Sequence, residues 1–394
     1  MNFSKTHIIT VNAGSSSIKL GLFAAHNTSD KIFEGCVENI GQTSACLVVQ
    51  GQTASDYSRT PVTAANHAAA MQILIRWLEQ HAPPATIAAI GHRIVHGGPA
   101  YHEPHVADKR LLADLRELAP FDPEHLPMEL QLVEECKTLF PGVKQVACFD
   151  TAFHYDLPAV ARMLPVPRHL EAKGVRRYGF HGLSYAYIID ELRRVEGDAA
   201  ARGKVIIAHL GSGASLAALQ DGRPIDTTMS MTPASGIPMS TRSGDLDPGL
   251  ALYLARTQGY DAERFNHMAN FESGLLGISE TTADMRKLLE IESSDKRAKD
   301  AVDMFCYQVK KAVGGLAAAL GGLHTIVFTG GMGENAPKIR ERVCEGLDFL
   351  GVTIDEVRNR DGARLISKDG GLVGVHVIHT DEAVTIARET ARLI

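Results

Sequence analysis

The chain has 394 residues and a formal net charge of −6, with 45% hydrophobic and 22% charged residues. That composition is globular and excludes a disordered chain, and the length suits two domains, each with its own core. No run of Lys and Arg interrupts the mildly acidic balance. A nucleic-acid partner is therefore not expected, and an anionic substrate has to be held by a local basic site.

The start, Met1-Asn2-Phe3-Ser4-Lys5, leads directly into strand-like sequence and lacks the parts of a signal peptide. Residues 8–11 and 18–23 read as short apolar strands around a turn. Residues 67–81 are helical, and Pro83-Pro84 is expected to end that helix. A strand is expected at 87–93, helices at 109–119 and 128–137, and a buried strand at 145–150. Beyond Thr151 the pattern restarts, which places a domain boundary just after Asp150. There follow a helix at 183–195, a strand at 204–209, helices at 248–258 and 301–320, a strand at 325–329, a helix at 337–348, a strand at 374–379 and a closing helix at 380–394. The apolar stretch 312–323 is too short to span a membrane, and its Gly pairs suggest a packed helix. Cys36, Cys46, Cys136, Cys148, Cys306 and Cys344 form no C-x-x-C pair and read as reduced, buried thiols of a cytoplasmic protein.

The two halves share a pattern. Residues 9–18 can be laid on 206–215 without a gap: an apolar strand, a Gly/Ser turn, then a second apolar strand. Two such copies suggest a duplicated domain, each with a phosphate-facing hairpin.

In the first copy, Asn12-Ala13-Gly14-Ser15-Ser16-Ser17-Ile18-Lys19 offers consecutive N–H groups and hydroxyls to an anion, Lys19 to a phosphate and Asn12 to a metal-bound water. It is not the Walker pattern, and a Ser-rich solvated hairpin is an equal alternative for this turn alone. His209-Leu210-Gly211-Ser212-Gly213-Ala214-Ser215 and Gly330-Gly331-Met332-Gly333-Glu334-Asn335 also follow apolar strands, and the latter opens a helix, whose N-terminus favours phosphate. Arg93 lies in Gly91-His92-Arg93-Ile94-Val95-His96-Gly97-Gly98, and Arg242 in Ser240-Thr241-Arg242-Ser243-Gly244-Asp245. An Arg among small residues has little apolar packing to do, so both are read as anion-binding forks that support no core; the alternative for each is a surface ion pair. Asp150 ends a buried strand, His181 is flanked by Gly182, and Asp381-Glu382 opens the closing helix, where capping competes with a site role for Asp381.

Taken together, segments 12–19, 91–98, 148–154, 178–181, 209–215, 241–249 and 330–336 resemble, in order and spacing, the acetate kinase family of the actin, sugar kinase and heat-shock ATPase superfamily. The resemblance runs from about Ile8 to the C-terminus. It implies an α/β chain with a duplicated ribonuclease H-like (actin-like ATPase) two-domain fold and a nucleotide cleft between domains. The domains would be residues 1–150 plus about 384–394, and 151–383. It further implies Mg²⁺, with Mn²⁺ as an alternative, ATP and ADP as co-substrates, a short carboxylate as substrate, no membrane partner, and a homodimer. Asn12 and Glu382 would serve the metal. Lys19, His209, Leu210, Gly211, Ser212, Gly213, Asp284, Met285, Arg286, Gly330, Gly331, Met332, Gly333 and Glu334 would line the nucleotide site. Arg93, Val95, Phe180 and Pro233 would hold the acid, and Arg93, Asp150, His181 and Arg242 would be catalytic.

Four departures from the family pattern bear on specificity. After Leu118-Ala119-Pro120 the usual His-Asn-Pro is replaced by Phe121-Asp122-Pro123-Glu124-His125, one residue shorter, with His125 the candidate to fill the missing role. Ser212 stands for an Asn, Met285 for an aromatic residue, and 233–240 departs from Pro-Leu-Glu-Gly. The first and last bear on the acid preferred, Met285 on the nucleotide.

A carboxylate is ionised at neutral pH and needs no general base to attack phosphorus. The expected mechanism is direct in-line transfer helped by Mg²⁺, Arg93, Arg242 and His181, with Asp150 orienting Arg93 or a metal-bound water and domain closure around the nucleotide. The rival readings are a propionate or butyrate kinase and a nucleotide-sensing actin-like protein without turnover.

Overall fold

The computed structural model describes residues 6–14, 17–51, 53, 56–81 and 86–394. Met1–Lys5, Ser15, Ser16 and Pro83-Pro84 lie outside the described residues. The chain divides into two compact units, Met1–Phe153 with Asp381–Ile394, and His154–Thr380. Glu382 therefore shares a unit with Asn12.

In the first unit the strands are β1 (His7–Ala13), β2 (Ser17–Ala24), β3 (Asn27–Glu38), β4 (Cys46–Gly51), β5 (Ser58–Pro61), β6 (Ile87–Ile94), β7 (His105–Val106) and β8 (Lys144–Phe149). They form one sheet in the order β5-β4-β3-β2-β1-β6-β8-β7. The parallel centre, β1-β6-β8, is built from aliphatic runs buried on both faces, as parallel strands require. The edge strand β5, Ser58-Arg59-Thr60-Pro61, is exposed throughout and ends in Pro, which blunts it against further pairing. The helices His67–His81 and Leu126–Leu139 contribute Leu74, Leu78, Leu132 and Cys136 to a core with Ile9, Val11, Leu20 and Ile90.

The second unit carries β9 (Val205–Leu210), β10 (Ala214–Gln220), β11 (Arg223–Thr227), β12 (Thr325–Thr329) and β13 (Gly374–Val377), in the order β11-β10-β9-β12-β13. Its long helix Lys296–Leu320 is capped at one end by Asp295, which accepts from Arg297 and Ala298 N–H, and stopped at the other by Gly321 in the left-handed region. Among the described residues no helix is long and apolar enough to cross a membrane.

The duplication is visible in the sheets. β3-β2-β1-β6-β8 and β11-β10-β9-β12-β13 each run as three antiparallel strands followed by two parallel to the third. The gapless match of the sequences breaks at the turn. Ala13 pairs with Ile18 across residues 14–17, but Leu210 pairs with Ala214 across 211–213, so the second hairpin is one residue tighter.

Other differences from the sequence reading are local. β3 starts in the polar run Asn27-Thr28-Ser29-Asp30, which has little strand propensity alone and is recruited by pairing with β2. The helix expected at 337–348 ends at Cys344, before Gly346 with φ 74°. The helices Ala262–Phe271, Gly274–Ser279 and Met285–Ile291 were not anticipated.

Candidate active site

In the first unit, the residues singled out by the sequence gather at the carboxyl ends of the parallel strands, where ligands bind in open α/β sheets. Asn12 is near the end of β1, Arg93 near the end of β6, and Asp150 follows β8, its N–H bonded to the Ile94 carbonyl at 3.0 Å. Arg93 Nε donates to Asp150 Oδ2 at 2.8 Å, and Nη2 lies 2.6 Å from the same oxygen. Nη1 donates to the Ala13 carbonyl at 3.0 Å and to Glu129 Oε1 at 3.2 Å. Burial opposes the charge on Arg93, but Asp150, Glu129 and Glu382 outweigh it and raise its pKa. Arg93 is thus a buried-network residue. The expectation that it supports no core is corrected, because Asp150 and Glu129 are both buried and depend on it.

Asn12 Nδ2 donates to Glu382 Oε2 at 2.6 Å. Asn12 Oδ1 and Glu382 Oε1 take no part in that bond. Among the described residues there is no group of three His, Cys, Asp or Glu side chains that would hold a metal. This sparse, all-oxygen set does not suit zinc. It fits Mg²⁺, which keeps waters and is shared between one or two carboxylates and substrate phosphates. Lys19 is exposed and stands opposite Asn12 in the β1–β2 register. Asp381 caps the closing helix by accepting from Val384 N–H and pairs with Lys31, so the capping reading holds for it.

The altered segment after Pro120 leads into the helix Leu126–Leu139. Phe121 packs on His96 with ring centroids 5.3 Å apart. His125 is the residue before the helix, its Nδ1 2.9 Å from Asp122 Oδ1.

In the second unit, His181 precedes the helix Gly182–Glu196 with φ 57°, a left-handed conformation that a non-glycine residue adopts at a cost. Its Nδ1 is 2.8 Å from Ser215 Oγ, which also meets Tyr185 OH at 2.6 Å, and its ring stacks on His209 at 4.3 Å. A Cβ on Gly213 would lie 3.2 Å from His181 Nε2 and 3.5 Å from Arg242 Nη1, so the missing side chain lets both groups converge over this turn. Arg242 Nη1 donates to the Pro233 carbonyl at 3.3 Å. Phe180 is buried, and its carbonyl accepts from His154 Nε2–H at 3.1 Å. Burial lowers the His154 pKa to about 4, so that ring is neutral.

The two glycine turns touch. A Cβ on Gly211 would lie 4.0 Å from Gly331 N, and Gly330, with φ 76°, packs on the Leu210 backbone. Glu334 does not point outward. One oxygen accepts from Gly330 and Thr380 N–H at 2.8 and 3.1 Å, and the other meets His379 Nδ1. Leu210 is wholly buried, so that residue lends backbone to the turn. Ser212 accepts Ser240 N–H through its carbonyl at 3.1 Å. Gly333, buried, offers its carbonyl to Arg340, while Met332 is only part-buried. Asp284 caps the helix Met285–Ile291 and pairs with the exposed Arg286, whereas the Met285 side chain is only 3% exposed and packs inward.

Three supporting residues escaped the sequence reading. Glu129 breaks the apolar stripe Leu126, Leu130, Val133, Cys136, and a charge on a helix's inner face was the available signal. Arg340, buried, holds the end of the Gly330 helix through the carbonyls of Gly333 and Glu334. Gly274, with φ 60°, lies against the carbonyls of Met239 and Arg242. Nothing in the sequence around Arg340 or Gly274 marks either.

The duplicated α/β fold and the likeness to known kinases over nearly the whole chain make this a phosphotransferase enzyme. The chain belongs to the acetokinase family, whose model matches residues 7–388. It is 43% identical over 391 residues, covering 98% of both chains, to an acetate kinase of Rhodopseudomonas palustris (strain TIE-1). Among solved structures it is similar to a propionate kinase from Francisella tularensis subsp. tularensis SCHU S4 (TM-score 0.91, 33% identity, 99% of this chain and 100% of that one). It is also similar to Porphyromonas gingivalis acetate kinase (TM-score 0.86, 34% identity, 98% and 99%).

Proposed function

We propose that the chain transfers the γ-phosphoryl group of ATP to acetate, reversibly, giving acetyl phosphate and ADP. The observation that carries this reading is Arg93, fixed by two buried carboxylates beside the buried Val95. Acetate is already ionised, so the obstacle is bringing it up to an anionic phosphoryl group. Arg93 holds and neutralises the carboxylate. An acetate oxygen attacks the γ-phosphorus, the bond to the β–γ bridging oxygen breaks, and ADP leaves with that electron pair. No proton moves, which leaves Asp150 as the residue that orients Arg93. His181 and Arg242, converging over Gly213, stabilise the charge on the transferring group.

The turns at 209–213 and 330–334 hold the phosphates of ATP, with Lys19 as a further cation, and Asp284 and Arg286 face the base. Asn12 and Glu382 hold Mg²⁺, or Mn²⁺ in its place, which when bound neutralises phosphate charge. Six free, buried cysteines support a cytoplasmic location.

Val95 is assigned to the acyl group, and Phe121, packed on the ring of the next residue, His96, is read as narrowing the space beside it. One methylene in a hydrophobic pocket is worth about 1–3 kcal/mol, or roughly 10–200-fold. Hydroxamate trapping of the acyl phosphate is expected to give kcat/KM highest for acetate, then propionate, then butyrate. The similarity to a propionate kinase favours a second reading, and a preference for propionate would put it in place of the first.

A homodimer is the proposed assembly. The helix Gly249–Gln258 has no buried residue although it carries Leu250, Leu252, Tyr253 and Leu254, and Leu252 and Tyr253 are 55% and 60% exposed. Adjacent exposed apolar residues on one helix support that reading. Light scattering is expected to report a dimer, and the double variant Leu252→Glu, Tyr253→Glu a monomer; a monomeric natural protein would contradict the assignment.

A further inference from the structure

Glu129 is 2% exposed, on the apolar face of the helix Leu126–Leu139. An ionised carboxylate in such a place is costly unless its oxygens are held. Both are. Oε1 accepts from Arg93 Nη1 at 3.2 Å, and Oε2 accepts from the Val95 N–H at 2.8 Å. One side chain therefore grips the cation and the pocket-wall backbone to which the proposed function gives the carboxylate substrate. Arg93 is gripped from the other side as well, Nε by Asp150 and the second Nη1 hydrogen by the Ala13 carbonyl. Nη2 lies 2.6 Å from Asp150 Oδ2, so every guanidinium nitrogen already has a carboxylate or carbonyl partner and Arg93 meets an anion at a fixed angle instead of as an open fork.

We infer that Glu129 is a positioning residue for the acid substrate, setting the angle at which Arg93 meets the carboxylate and the depth of the acyl pocket at Val95. The inference rests on the reading that Arg93 and Val95 bind the acid. Burial pushes the Glu129 carboxyl up to about 8, against the pull of Arg93 and the Val95 N–H, with Asp122 and Asp150 pushing the same way as burial. Arg93 is in turn within reach of Glu382.

The test uses the full-length protein with Glu129→Gln and Glu129→Asp, measuring KM for acetate and for ATP, kcat, the pH profile and the melting temperature. Glu129→Gln offers one acceptor oxygen to two donors, and losing a charge-assisted bond is worth roughly 10-fold or more in affinity. The expected result is a rise of that size in KM for acetate, an unchanged KM for ATP and an altered acetate-to-propionate ratio. Glu129→Asp, which keeps the charge on a shorter stem, is expected to fall between Gln and the natural residue. Natural KM values in both variants would overturn the inference. So would KM values for acetate and ATP rising together with a fall in melting temperature, or failure of both variants to fold, since Glu129 would then be structural. Arg93→Ala measured alongside separates the two readings. If it keeps the natural KM for acetate, the assignment of Arg93 fails; if it loses acetate binding while the Glu129 variants do not, only the inference about Glu129 fails.

Discussion

Arg93→Ala is expected to lower kcat by roughly 10²–10³-fold, the usual cost of removing one preorganised charge-stabilising donor, and to lower the melting temperature as well. The first effect follows from its proposed role in neutralising the carboxylate. The second follows from what is left behind. Asp150 and Glu129 are 0% and 2% exposed and both lean on Arg93. Removing one partner from a buried ionic group costs about 3–5 kcal/mol, because the remaining charge is stranded. Steady-state kinetics and thermal unfolding on the same preparation check both. A near-natural kcat would remove Arg93 from the mechanism; a lowered kcat with an unchanged melting temperature would mean the carboxylates do not depend on it. Arg242→Ala is expected to lose a similar factor in kcat, and near-normal turnover would likewise exclude it.

Gly274→Ala is expected to be the other severe change, although nothing in the proposed chemistry touches Gly274. Its φ of 60° suits glycine, and a Cβ there would lie 2.2 Å from the Met239 carbonyl oxygen and 2.6 Å from that of Arg242. Those carbonyls belong to the turn that carries the Arg242 side chain, which is also fixed by Leu275 N–H on Met239 O at 2.9 Å and Ser273 N–H on Thr241 O at 3.0 Å. Backbone cannot yield as a flexible side chain does, so the turn must move. A displacement of about 1 Å at a reacting group costs on the order of 10²-fold in rate, and the overpacking itself about 1–3 kcal/mol. The expected outcome is a large loss of kcat with a modest loss of stability. Gly277→Ala, whose Cβ would lie 2.5 Å from the Glu272 carbonyl oxygen and not the Arg242 turn, is the comparison. Equal losses of kcat in the two would show that the damage is general rather than routed through Arg242.

Much of this site was legible in the sequence because its residues lie where local pattern is strong. β1, β6, β8, β9 and β12 are short, mostly aliphatic runs, and Asn12, Arg93 and His209 near their ends, with Asp150 and Gly330 just past them, are polar or glycine. The duplicated hairpin was visible for the same reason. What supports those residues was not. Glu129 reaches Arg93 across 36 residues of chain, and Gly274 reaches Arg242 through a turn whose shape only the folded backbone defines. The expectation that Arg93 supports no core failed because its sequence neighbours were read as its surroundings. Its packing partners come instead from the residue just past β8, the Leu126–Leu139 helix and the end of β1. Glu334 was assigned to the nucleotide on the strength of its glycine-rich loop, yet its carboxylate is turned back on Gly330, Thr380 and His379. That places it in support of the loop. β3 shows the same limit at the level of fold, since a polar start becomes strand only through the partner it pairs with.

The measurement that bears most directly on the central claim is ³¹P NMR of the protein with ATP, Mg²⁺ and acetate. Direct transfer to a carboxylate predicts that an acyl phosphate signal and ADP grow together, one for one, only when acetate is present, and that adding ADP and acetyl phosphate regenerates ATP. ADP and orthophosphate formed at a rate indifferent to acetate, or no turnover of bound ATP at all, would contradict it.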